Sequence, residues 1–468
     1  MVFSSTLFLF VFLPTILCAY YLSPRGFRNF ILVIGSLFFY AWGEPVYIVL
    51  MLFIAVFDYT NGLLLDKYKA RLMIRRLVLI CSLTIDLGML SFFKYYGFFI
   101  DNINAILNLQ IVVTPLPLPI GISFYTFQSI SYIVDVYQGR IQPQKNIISY
   151  ATFVTMFPQL IAGPIVKYVD IAKQLENRKE SLALFGEGAM LFIIGLSKKV
   201  LLANNIGIVW QQIKATPMDE ISLLTAWIGI VAFTFQIYFD FSGYSDMARG
   251  LGKMFGFDIM RNFNYPYISK SITEFWRRWH ISLGSWFKNY LYIPLGGSRV
   301  GNLERYRNLF IVWFLTGFWH GASWNFIVWG LYFGLFVTLE KIFLLNWLEN
   351  KPNWVGHIYT LGIVIVGWVF FEFDSLLQGL AYLQVMFGMG AYQLLDDKAI
   401  YYLYTNAFLF VVLALCATPL VKNLVIGWQE RAMLSWSVAM PVIYSVLLFF
   451  CTAYLVNLSY NPFLYFRF

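Results

Sequence analysis

Two histidines carry most of the chemistry this sequence offers. His320 lies at the centre of residues 316–326, TGFWHGASWNF, with apolar runs before it at 309–318 and after it at 327–339. An ionisable side chain at such depth is costly, so by default it marks a functional site. An uncharged imidazole is the natural general base near neutral pH. It can take the proton from an attacking hydroxyl, a contribution of about 10²–10⁴ in rate. His280 lies upstream in TEFWRRWHISLGSWFKNYLYIPLGG, residues 273–297, and the third histidine, His357, falls outside both stretches.

If residues 271–284 are helical, Trp276, Trp279, His280 and Leu283 share one face by i, i+3, i+4, i+7 spacing. Arg277 and Arg278 leave that face, and Glu274 reaches Arg278 one turn on. Such a mixture suits an interfacial anchor helix with a hydrogen-bonded histidine. It equally suits a cavity mouth on the cytoplasmic side, where the arginines attract a phosphate-bearing donor such as a coenzyme A thioester. Both remain open. On a continuous helix through His320, Trp324 follows four residues on and Asn325 five. Trp276, Arg277, Arg278 and Asn325 are therefore the candidate donor-binding residues. The last six residues, FLYFRF, suit a membrane-boundary anchor, yet Tyr465 among them has a second use. Its phenol, with a pKa of about 10, is a better leaving group than an alkyl alcohol. A tyrosyl ester can accept an acyl group and still pass it on.

The elements that position these residues must cross a membrane. Of 468 residues, 60% are hydrophobic, 20% aromatic and only 12% charged, and the mean hydropathy is +0.68. A soluble domain averages about 25% charged residues, and a barrel would show alternating segments of about ten residues instead. An all-α polytopic membrane protein is expected, built as a single domain over residues 1–468. The net charge of +9 reflects basic loops beside membrane spans and calls for no nucleic acid. The four cysteines lie in apolar runs without metal or disulfide spacing. Together with so few histidines, this predicts no metal site.

A crossing helix needs about twenty apolar residues, fewer if bent or partly buried. Candidate spans are 3–22, 29–42, 45–65, 77–96, 119–137, 185–203, 221–241, 309–321, 323–345, 355–373, 401–421 and 436–456, twelve in all. The first lacks the basic flank and cleavage site of a signal peptide and reads as a retained span. Residues 149–164 are apolar, but Pro158, Gly163 and Pro164 predict a re-entrant or broken helix. Residues 98–117 read as an amphipathic piece on the outer surface. The loop at 66–76 is rich in Lys and Arg, and residues 245–307 carry ten basic against four acidic side chains. Both loops are placed in the cytoplasm, which puts both termini outside; Lys198 and Lys199 fit this scheme poorly. The acidic residues within spans, among them Asp58, Asp86, Asp240 and Glu340, read mostly as paired packing residues.

WRRWHISLGSWFKNYLYIPLGG with LTGFWHGASWNFIVWGLYFG resembles the membrane-bound O-acyltransferase family, and more closely the membrane subunit of alginate and other exopolysaccharide O-acetyltransferases. PLPIGISFYTFQSISYIVDVY, FPQLIAGPIV and FQIYFDFSGYSDMARGLG extend that likeness over nearly the whole chain. The resemblance implies a ring of helices around a thinned central tunnel, with the family histidine at His320 and its companion at His280. It implies a cytosolic acyl thioester as donor, acetyl-CoA being the expected one, with no permanently bound cofactor. It also implies a secreted polysaccharide acceptor, reached through an extracytoplasmic serine-esterase-like partner, in a bacterial-type cell membrane. Phe463-x-Tyr465-x-x-Phe468 is similar to the C-terminal motif of the small tyrosine-bearing subunit in teichoic-acid D-alanylation. D-alanyl transfer from a carrier protein is the rival enzymatic expectation, and a non-catalytic export scaffold the rival from another class.

Overall fold

The computed structural model describes residues 1–114, 116–161, 163–390, 392–431, 433–457, 460–462 and 464. Among these every regular element is helical. Among the described residues, eight helices are long and apolar enough to cross a membrane: Ile48–Lys67, Leu72–Leu107, Leu182–Lys214, Leu223–Met254, Trp324–Glu349, Asn353–Glu372, Asp397–Cys416 and Ser437–Asn457. The other four expected spans are shorter or more polar. Phe8–Leu22 and the fourteen-residue Arg28–Ala41 stop early. Ile122–Tyr137 has sixteen residues, and Asn302–His320 begins with Glu304, Arg305 and Arg307 in its first two turns.

The chain divides into two compact units, one of Met1–Phe192 with Ser245–Met260 and one of Ile193–Tyr244 with Arg261–Phe468. In the first, Ile122–Tyr137 is buried along almost its whole length, polar residues Ser123, Thr126, Gln128 and Asp135 included. Gly121 begins it with φ +76°, and a Cβ there would lie 2.6 Å from the Leu160 carbonyl oxygen; only glycine fits such a close approach. The helix predicted to break does so. Ile147–Thr155 ends at Met156, and a short turn, Phe157–Leu160, carries Pro158. The freed amide of Phe157 donates to Ser36 Oγ at 3.0 Å, so the broken backbone is satisfied inside protein as membrane depth requires. Residues 98–107 are a correction: they continue the 36-residue helix Leu72–Leu107, which ends where Asn108 turns left-handed (φ 49°). No proline interrupts that stretch, so nothing forces the earlier end.

In the second unit widened π-helical turns lie within helices at Lys198–Ala203 and Glu340–Leu344 and end one at Lys288–Tyr292. Such turns concentrate at functional places. Several buried acids of both units have partners. Asp58 accepts from Ser82 Oγ, Lys199 pairs with Asp240 at 2.7 Å, and Glu372 accepts from Trp210 Nε1 and Lys214 Nζ.

Candidate functional site

His280 does not share a helical face with Trp276, Trp279 and Leu283. The helix Ile272–Arg278 stops there; Trp279 is extended, and His280 adopts φ 45°, ψ 53° before Ile281–Phe287 begins. The first helix is fixed at its start by two caps. Ser271 Oγ accepts from the Glu274 amide, and the Glu340 carboxylate accepts from the amides of Ile272 at 2.6 Å and Thr273 at 2.8 Å. A negative group suits a helix N-terminus.

A left-handed conformation in a residue other than glycine costs about 1–3 kcal/mol and persists only when its surroundings hold it. Here a strap at residues 262–264 does so. The Asn262 carbonyl accepts from the Ile281 amide at 3.0 Å, and the Asn264 amide donates to the Arg278 carbonyl at 2.9 Å. Asn262 Oδ1 accepts from the Ser282 amide at 3.0 Å and from Ser282 Oγ at 2.9 Å, with His280 Nδ1 at 3.3 Å. The backbone of the histidine is thereby set from both sides. Its imidazole is 2% exposed and meets the Phe241 ring edge-on at 4.8 Å between centroids. Burial pushes it down to about 3, so the ring is neutral at physiological pH.

His320 is the last residue of Asn302–His320, and extended Gly321 (φ −167°) leads through Ser323 into Trp324–Leu339. Trp324 and Asn325 therefore do not follow it on one helix; they open the next. The two helices form a tight hairpin because glycines face each other: a Cβ on Gly330 would lie 2.9 Å from the Gly317 Cα, and one on Gly317 would strike the Phe326 carbonyl. That contact places His320, 4% exposed, against Trp329 at 4.9 Å and Phe371 at 5.3 Å, all ring to ring.

The structure brings both histidines to one indole. Trp319 lies 6.3 Å from the His280 ring and 5.0 Å from the His320 ring. The other predicted residues are less close. Trp276 packs among Trp313, Trp329 and Phe333, so it supports the aromatic layer behind His320. Arg277 is exposed; Arg278 pairs with Glu274 at 2.8 Å, as its spacing predicts. Asn325 donates its amide hydrogens to the Phe370 and Phe373 carbonyls at 3.3 and 2.7 Å and accepts from Ser323 Oγ. It ties the start of one helix to the end of another. Tyr465 and its neighbours Phe463 and Phe468 lie outside the described residues.

Asn262, Trp319 and Glu340 escaped the sequence reading as site residues. The only hint was the turn-rich RNFNYP around Asn262, and tryptophan beside histidine in a span looks like packing. Together these groups hold two buried imidazoles at helix breaks among aromatic rings. The arrangement suits proton transfer at a reacting hydroxyl.

Residues 143–377 match the model of the membrane-bound O-acyltransferase family. The probable alginate O-acetylase AlgI of Pseudomonas putida is 40% identical over the full length of both chains. The peptidoglycan O-acetyltransferase of Helicobacter pylori is 36% identical over 84% of this chain and 81% of its own. More distantly, the teichoic acid D-alanyltransferase of Bacillus subtilis is 28% identical over 50% of this chain and 62% of its own.

Proposed function

Because the chain belongs to the membrane-bound O-acyltransferase family, we propose that it moves an acetyl group from cytosolic acetyl-CoA across the membrane for O-acetylation of a secreted polysaccharide. His320 is the base. It takes the proton of the attacking hydroxyl, whose oxygen bonds to the thioester carbonyl carbon; the C–S bond then breaks, and the imidazolium returns the proton to the departing thiolate. His280, held neutral across the same indole, positions donor or acceptor. The observation that carries this reading is the meeting of two buried histidines at Trp319, inside the segment that matches the family model.

Acetyl is favoured over D-alanyl because the full-length likeness is to an O-acetylase, whereas the D-alanyltransferase likeness covers half the chain. In this reading the spans close around a tunnel, and the short helices cross where the protein thins the bilayer. Both termini lie outside a bacterial-type cell membrane, with the basic loops in the cytoplasm. Arg277 and Arg278 face the incoming thioester phosphates. Tyr465 takes the acetyl on the outer side as an ester, and a serine-esterase-like partner passes it to the polymer. His320→Ala should abolish polymer acetylation while protein level stays unchanged; normal acetylation in that variant would remove the catalytic assignment.

A further inference from the structure

Lys199, like Lys198, fits the orientation scheme poorly, and the structure gives it a task. It is 2% exposed and is the second residue of the widened turn Lys198–Ala203. Residues five apart come to one side of such a turn, so its ammonium donates to Asn204 Oδ1 at 2.8 Å. It forms an ion pair with Asp240 Oδ1 at 2.7 Å. It also donates to the backbone carbonyl of Pro462. The other end of the ion pair takes the same stretch of chain, because Asp240 Oδ2 accepts from the Leu464 amide at 3.0 Å. Two more contacts follow upstream: Asn204 Nδ2 donates to Asn461 Oδ1 at 3.2 Å, and Gln236 Nε2 to the Tyr460 hydroxyl at 3.2 Å.

A buried ion pair is a poor stabilising device, since desolvation offsets most of its attraction. One whose two ends grip a carbonyl and an amide two residues apart has a recognition function instead. We propose that the Lys199–Asp240 pair is the seat of the C-terminal segment. It recognises the Pro462 carbonyl and the Leu464 amide, and so sets the register in which the following residue, Tyr465, is presented to the acetyl group. The ligand is a peptide segment, here the chain's own tail, gripped by the ion pair through backbone atoms; register decides what is presented. The second half of this statement rests on the proposed relay role of Tyr465; the first half does not.

Hydrogen exchange by mass spectrometry on the full-length protein in lipid nanodiscs tests the seat. The peptide beyond Asn457 should be protected in wild type. It should exchange at least ten-fold faster in Lys199→Met/Asp240→Leu, which removes both charges without leaving either alone, and in Asp240→Asn. Peptides from Asn353–Glu372 should be unchanged, reporting an intact fold. Equal exchange of the tail in wild type and the double variant overturns the seat. Radiolabel from acetyl thioester on the tail should fall at least ten-fold in the double variant. It should also fall when one glycine is inserted after Leu464, which keeps the seat and moves Tyr465. Full labelling with a loosened tail overturns the positioning claim. Full activity of Tyr465→Phe overturns the relay and leaves the exchange result to decide the seat.

Discussion

Replacing Asn262 with alanine removes one oxygen that faces three groups: the Ser282 amide, Ser282 Oγ and His280 Nδ1, at 3.0, 2.9 and 3.3 Å. Asn262 is 1% exposed and Ser282 1% exposed, so water does not readily replace it. Leaving two buried donors unsatisfied costs about 1–3 kcal/mol each, and about 3 kcal/mol of stability should be lost in total. The effect on rate has a different origin. The bond from Ile281 to the Asn262 carbonyl remains, so His280 keeps its place in the chain but loses the hold on one flank. A shift of about 1 Å at a reacting group costs on the order of 10² in rate. Acetyl transfer from a radioactive thioester should therefore fall about that much in kcat with donor KM nearly unchanged. Ser282→Ala alone should cost less, and the double variant should cost less than the sum, because the pair is coupled. Thermal unfolding in detergent and single-turnover transfer, measured on all variants, give the cycle. If Asn262→Ala keeps both melting temperature and kcat, the strap does not hold the histidine.

Gly317→Ala drives a methyl into the Phe326 carbonyl and toward Gly330; overpacking of this kind costs about 1–3 kcal/mol. Transfer should fall with it, whereas Gly362→Ala, with nothing within 4 Å of the new carbon, should be silent in the same thermal and activity assays. Glu340→Gln keeps the shape of the cap on Ile272 and Thr273 but removes its charge, and should lower stability by about 2 kcal/mol; an unchanged melting temperature refutes the cap. Tyr465→Phe keeps the aromatic ring and deletes the hydroxyl, so covalent label on the tail and polymer acetylation should both be lost, as read by gel autoradiography.

Local chemistry was legible where the signal was local. Pro158 and Gly163 announced the broken helix, and Glu274 with Arg278 announced their ion pair, because each depends on residues a turn apart. The burial of His320 was legible from its apolar surroundings, and the family likeness followed from long motifs. The shape around the histidines was not. FWRRWHISLG contains no glycine or proline before His280 and reads as one helix; what breaks it is a strap from eighteen residues earlier in sequence. Gly321 and Ser323 carry stop and start signals for the His320 hairpin, and helical spacing does not extend across them. Apolar runs alone did not show which of the twelve expected spans would be long helices and which short ones such as Arg28–Ala41.

The helix Leu72–Leu107 has a consequence for the lipid around it. At 1.5 Å per residue its 36 residues extend about 54 Å, against a hydrocarbon slab of about 30 Å. Even tilted by about 40°, the upper end of the range for such helices, it outreaches the slab by roughly two turns or more. The surplus at its C-terminal end holds Asp101, Asn102 and Asn104, and Asn104 is stitched to Ile111 by bonds of 2.9 and 3.0 Å. That end is suited to stand among headgroups as a rigid mast, while the apolar remainder sets how far the surrounding leaflets can thin.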